Sequence, residues 1–125
     1  MPVRSLSSPV LRWPDAKTVD QAVRRWAEVV AGGRTDVLGI GYFGSYARGD
    51  WGVGSDVDLV IVLRESTEPF ERRAVPFDAT VLPVPADVLV YTEDEWNASM
   101  SRSPSSRRSA EEVVWVVRMA PPHAH

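Results

Sequence analysis

The chain has no cysteine, which removes disulfides, thiolate nucleophiles and cysteine-ligated zinc together and suits a reducing cytosol. Histidine is almost missing as well: His123 and His125 are the two it has, both too near the end of the sequence for good catalytic candidates. Net positive charge is absent, with 14 basic against 17 acidic side chains and a net charge of -3. A chain of that charge offers no general field for a polyanion, so nucleic acid is not an expected partner. No apolar run approaches the roughly 18 residues of a membrane span, and Val10-Leu11 is too short for a signal-peptide core. The expectation is a soluble, cytoplasmic protein without a membrane partner, and 125 residues is the size of one domain.

Residues 1–14 mix proline and serine without periodicity and read as a loose lead-in whose Leu11 and Trp13 pack onto the body. Thr18 and Gln21 have the spacing of a capping box, and Val19, Ala22, Val23, Trp26, Ala27 and Val30 recur at helical intervals until Gly32 and Gly33 stop the helix. Residues 36–43 read as a buried strand ending in a Gly-Ser turn, and 45–50 as a short helical turn. Residues 57–63 read as a second strand. Its alternation puts Asp58, Val60 and Val62 on one face and Val57, Leu59, Ile61 and Leu63 on the other, the pattern of a central strand covered on both sides.

Residues 64–76 are charged and predict a short helix or surface loop. Strands are expected at 78–82 and 87–92, separated by Pro83 and Pro85, which cannot donate to a ladder. Thr92 and Glu95 form a second capping-box pattern, opening a short helix that carries Trp96 and Met100. The serine-rich stretch 99–109, with Arg102, Arg107 and Arg108 around Pro104, reads as a flexible loop, and 113–118 as a strand. The sum is an α/β (α+β) domain over 15–120, a mixed central sheet of four to five strands flanked by helices, with 121–125 as an unstructured tail. An exposed edge at Val113–Val117 would need cover, which a second copy could give.

The chemistry concentrates in residues 39–63. Asp56 and Asp58 stand two apart on one strand and offer hard oxygen ligands on one face to a divalent cation. A third carboxylate from a neighbouring strand, Asp87 or Asp78, would let two ions sit roughly 4 Å apart. Gly44 permits close approach to the backbone, and the Gly44-Ser45 turn exposes N–H groups and a hydroxyl suited to phosphate oxygens. The turn lacks the lysine of a P-loop and the three glycines of a dinucleotide fold. Two acids on one strand cannot flank a cleft as glycosidase carboxylates do.

The stretch GSYARGDWGVGSDVDLVIVL resembles the signature of the nucleotidyltransferase superfamily related to DNA polymerase beta, and most closely its minimal, stand-alone domains. The matching residues are Gly44, Ser45, Ala47, Arg48 and Gly49, then Ser55, Asp56, Asp58 and Leu59. The resemblance implies a nucleotidyltransferase fold in which Asp56 and Asp58 bind two magnesium ions, with manganese able to substitute. It also implies that Gly44, Ser45 and Ser55 handle nucleotide phosphates. It calls for a third acid opening a later hydrophobic strand, which Asp87 in VPADVLVYTEDEW matches better than Asp78. Arg48 either contacts phosphate or supports the turn, with Asp50 as a local companion. Tyr42, Tyr46 and Trp51 either stack on a base or pack in the core.

The implied activity is transfer of a nucleoside monophosphate from a triphosphate, ATP foremost, to a protein or small-molecule acceptor with release of pyrophosphate. Small members of this superfamily also resemble antitoxin partners of helical RNase toxins. The alternative expectation is therefore a binding module that neutralises such a protein with little or no catalysis.

Overall fold

Because both faces of residues 57–63 are apolar, the segment is soluble only when covered twice, and the fold covers it twice. The computed structural model of the chain describes residues 13–118. Helix α1 (Ala16–Gly32) precedes strand β1 (Val37–Phe43) and a one-turn helix α2 (Ser45–Arg48). Strand β2 (Val57–Leu63) follows, then an excursion holding a 3-10 turn (Phe70–Arg72), strand β3 (Ala86–Thr92), helices α3 (Glu93–Arg102) and α4 (Pro104–Glu111), and strand β4 (Val114–Val117). The four described strands make one sheet in the order β3-β2-β1-β4, with β1 antiparallel to β2 and β4 and with β2 parallel to β3.

On one face, Val57, Leu59, Ile61 and Leu63 pack with Val19, Val23, Trp26 and Ala27 of α1. On the other, Val60 and Val62 meet Trp96 of α3, with Ala110 and Trp115 alongside. Each such buried aliphatic side chain contributes about 1.5–3 kcal/mol. β4 comes close to β1 because Gly41 has no side chain: a Cβ there would lie 2.5 Å from Val113 Cγ1 and 2.7 Å from the Val114 carbonyl.

Three sequence expectations need correction. The first helix is capped by Asp15, whose carboxylate accepts from the Thr18 N–H at 2.9 Å, so Thr18 lies inside the helix and not at its cap. Residues 78–82 form turns and not a strand: the Asp78 carboxylate accepts from the Thr80 N–H at 3.0 Å, an Asx-type turn that competes with extended structure. The 99–109 stretch is helical except near Ser103. Pro104 occupies the first helical position, where its missing N–H costs nothing, and the Arg107 N–H bonds the Ser103 carbonyl at 3.0 Å. The Thr92–Glu95 capping box forms as expected. The expected lead-in, apart from Trp13 and Pro14, and the tail at 121–125 lie outside the described residues.

The excursion between β2 and β3 is tied down by Arg73, a buried charge. Its guanidinium donates to both Glu95 oxygens at 2.6 and 3.1 Å, to the Glu68 carbonyl at 2.9 Å and to the Val90 carbonyl at 3.3 Å. Glu95 also accepts from the Thr92 N–H at 2.9 Å. One carboxylate thus caps α3 and anchors the loop that brings β3 to its place. Among the described residues no helix is long and apolar enough to cross a membrane.

Candidate active site

Parallel pairing of β2 and β3 sets Asp58 opposite Asp87. Residues paired across a sheet project from the same face, so both carboxylates leave the sheet on the Val60 and Val62 side. Asp56 precedes β2 by one position and is two residues from Asp58, as the alternation requires. Asp78 is elsewhere: it sits in the turn next to Phe77, which belongs to the cluster packed on α1 across the sheet. Its backbone carbonyl accepts from the Trp26 indole at 2.9 Å.

The electrostatics record the crowding of acids. The Asp58 carboxyl is held above the usual carboxylate range, first by burial and then by the negative charges of Asp87 and Asp56, with Arg48 pulling weakly the other way. Arg48 itself is shared outward, with Asp50 at 3.1 Å and Glu112 at 3.6 Å. That bridge links the α2 turn to the residue that follows α4.

Gly44 is the residue that the geometry admits least freedom to change. Its backbone lies at φ 79° and ψ -150°, a region that is essentially glycine's alone. A Cβ there would also overlap the Asp58 carboxylate. The phosphate turn and the acid strand therefore touch. The Gly44 carbonyl accepts from the N–H groups of Ala47 and Arg48 at 3.0 and 2.9 Å, leaving the earlier N–H groups of the one-turn helix unbonded within it. Ser55 is engaged in its loop, its hydroxyl accepting from the Gly52 N–H at 2.8 Å. The three aromatics near the motif pack: Tyr42 donates to Asp20 at 2.7 Å and its phenol is pushed up to about 12, chiefly by burial. Tyr46 is buried and Trp51 stacks on it at 5.5 Å.

Among the described residues no three acidic or histidine side chains are gathered at mutual liganding distance. The donor chemistry nonetheless fits a divalent cation: hard carboxylate oxygens from two adjacent strands, with the repulsion between them registered at Asp58. A cleft of about 710 Å³ between α1 and residues 76–82 lies across the sheet from the carboxylates, whereas a larger one of about 980 Å³ along residues 74–88 has both Asp78 and Asp87 in its lining.

Sequence comparison matches residues 23–115 to the nucleotidyltransferase domain. No curated protein matches the chain. Among solved structures, the chain is similar to a Sulfolobus solfataricus protein assigned as a nucleotidyltransferase, with 21% identity, 80% of each chain covered and a TM-score of 0.59. The mixed sheet, with its paired aspartates beside a Gly-Ser turn, is a nucleotidyltransferase fold. The chain belongs to the nucleotidyltransferase domain family.

The sequence alone did not single out Phe43, which pairs with Asp58, or Tyr91 and Ser99, which line the same small cavity as Phe43. Their signal is positional only: Phe43 directly precedes the Gly-Ser turn, and Tyr91 shares the strand face of Asp87.

Proposed function

We propose that the protein is a cytoplasmic, magnesium-dependent nucleotidyltransferase. It transfers a nucleoside monophosphate, from ATP foremost, to a hydroxyl of a protein or small-molecule acceptor. An acceptor oxygen forms a bond to the α-phosphorus, the bond from that phosphorus to the bridging oxygen breaks, pyrophosphate leaves and the acceptor's proton passes to solvent. The observation that supports this most is the placing of Asp58 and Asp87 on one rung, beside Asp56 and against Gly44. Asp56, Asp58 and Asp87 are the residues that would hold magnesium, or manganese in its place, whose chemistry is to neutralise triphosphate charge and acidify an attacking hydroxyl. Gly44 lets phosphate oxygens reach the backbone, and Ser45 adds a donor. Ser55 shapes the loop before the acids, and Arg48 braces the turn.

Calorimetry with each nucleoside triphosphate, with and without magnesium, tests this on the wild type and on an Asp56→Asn/Asp58→Asn variant. Magnesium-dependent binding by the wild type alone is expected. Absence of such binding in the wild type removes the enzymatic reading.

One observation favours the alternative of a neutralising module for a small helical protein. Val29 and Val81, 77% and 71% exposed, line the cleft on the α1 face, away from the acids. A partner covering that face would leave the acids free, whether it is another protein or a second copy. Inhibition of a partner RNase by the Asp56→Asn/Asp58→Asn variant as strong as by the wild type would favour binding over catalysis.

A further inference from the structure

A small cavity of about 180 Å³ lies under α3 and α4 on the sheet face that carries the carboxylates. Phe43, Tyr91 and Trp96 give it aromatic walls, Ser99 and Ser109 supply hydroxyls, and Ala110 contributes to its helical wall. Its position relative to the acids follows from strand register. Phe43 is paired with Asp58 across β1 and β2. Val60, also in the lining, is two residues beyond Asp58 on the same face, roughly 7 Å along the strand. Tyr91 is four beyond Asp87. The cavity thus begins at Phe43, on the Asp58 rung, and extends along the sheet past Val60, away from the Gly44-Ser45 turn.

Its chemistry is mixed in a specific way. The walls are flat and apolar, yet the hydroxyls of Tyr91, Ser99 and Ser109 make no hydrogen bond among the described residues. None of them is a buried orphan, so water serves them when no ligand is present. A cavity of about 150 Å³ is enough for one benzene ring, so this volume suits one planar ring system and excludes a whole nucleoside. A ligand with π faces for the aromatic walls and polar edges for three hydroxyls meets both demands.

We infer that this cavity binds the base of the nucleoside triphosphate, with the ribose crossing the step from Val60 to Asp58 and the phosphates at the acids and the Gly44-Ser45 turn. The inference rests on the nucleotidyltransferase reading of the site and deepens it, making Tyr91, Ser99 and Ser109 determinants of which nucleotide is chosen.

The test titrates the full chain, in magnesium, with the four nucleoside triphosphates and with inorganic tripolyphosphate, by calorimetry. The preferred nucleotide is expected to bind roughly 5- to 100-fold more tightly than tripolyphosphate, the range that one stacked base supplies. Ala110→Leu, which fills the cavity, should bring the nucleotide to tripolyphosphate affinity and leave tripolyphosphate unchanged. Ser99→Ala, which removes only the hydroxyl oxygen, should reorder the four nucleotides and spare tripolyphosphate. Equal affinity of nucleotides and tripolyphosphate in the wild type, or an unaltered nucleotide affinity in Ala110→Leu, overturns the base pocket while the phosphate site stands. Should Ala110→Leu lose both ligands, Ser99→Ala decides, and an unchanged order overturns the inference. Failure of every ligand to bind the wild type removes the nucleotidyltransferase reading and the pocket with it.

Discussion

Asp58 and Asp87 occupy the same rung of the β2–β3 ladder. Parallel register leaves them no choice of face, so the sheet holds two like charges side by side, with Asp56 adding a third nearby. The arrangement opposes the stability of the empty protein, and its cost shows as the raised proton affinity of Asp58.

Asp58→Asn should therefore stabilise the metal-free protein. An acid whose folded pKa lies above its unfolded value binds more protons when folded. Its ionised form works against the fold at neutral pH, and that penalty is relieved as pH falls. Removing the charge is expected to gain about 0.5–1 kcal/mol, a rise in Tm of roughly 2–6 °C. Added magnesium should raise the Tm of the wild type and leave that of the variant nearly unchanged. Scanning calorimetry at pH 7, with and without magnesium, reads both effects.

Asp87→Ala and Asp78→Ala should separate cleanly. Asp87 shares the rung with Asp58, and its loss is expected to abolish magnesium-dependent nucleotide binding. Asp78 holds only a turn through Thr80, an arrangement that keeps its carboxyl below the usual range. Its loss should lower Tm slightly and preserve binding. Comparable loss of binding in both variants would contradict the register.

Gly44→Ala should cost about 1–3 kcal/mol through backbone strain, with an added contribution from overlap with the Asp58 carboxylate. A Gly44→Ala/Asp58→Ala double variant relieves the overlap but not the strain, so the two changes should be less than additive. Urea denaturation of the four proteins in the cycle measures the coupling.

Glu95 contributes to the acid limb of stability. Its carboxyl is lowered from 4.5, first by the hydrogen bond from Arg73 and then by the Thr92 N–H. A lowered acid stabilises the fold above its unfolded pKa, and that contribution is lost as pH falls through the folded value. Glu95→Gln should flatten the loss of Tm below about pH 4.5, whereas Asp58→Asn, which removes an opposing gain, should steepen it. Arg73→Ala, which strips partners from Glu95 and from the buried Val90 carbonyl region, is expected to cost about 2–4 kcal/mol at neutral pH.

The sheet's central strands were legible because their signal is local. Val57–Leu63 has apolar residues on both faces, and the Gly-Ser pair marks where β1 ends. The capping box at Thr92 was equally plain. The start of α1 was misread because Asp15 and Thr18 are both good caps, and Asp15 takes the position by accepting from the Thr18 N–H itself. The 78–82 turn was misread because Val81 and Leu82 have strand propensity, while the Asp78–Thr80 hydrogen bonds that decide against it need only three residues. In 99–109, Pro104 signalled a break; it also begins α4. As for the site, Asp56, Asp58 and the turn lie on contiguous sequence, but the pairing of Asp87 with Asp58 is a matter of strand order, which no local pattern encodes.

The parallel pairing also has a consequence for the order in which the molecule forms. Antiparallel β1 and β2 are joined by the short 44–56 connection and can pair early, whereas Asp87 reaches Asp58 only after the 64–85 crossover has closed its loop at an entropic cost. The Arg73–Glu95 clamp lies on that crossover and on the helix directly after β3, so it fastens the segment that delivers the last acid. Nucleotide binding that depends on Asp87 would then report the docking of β3 on β2, and a refolding chain should regain secondary structure before it regains its ligand.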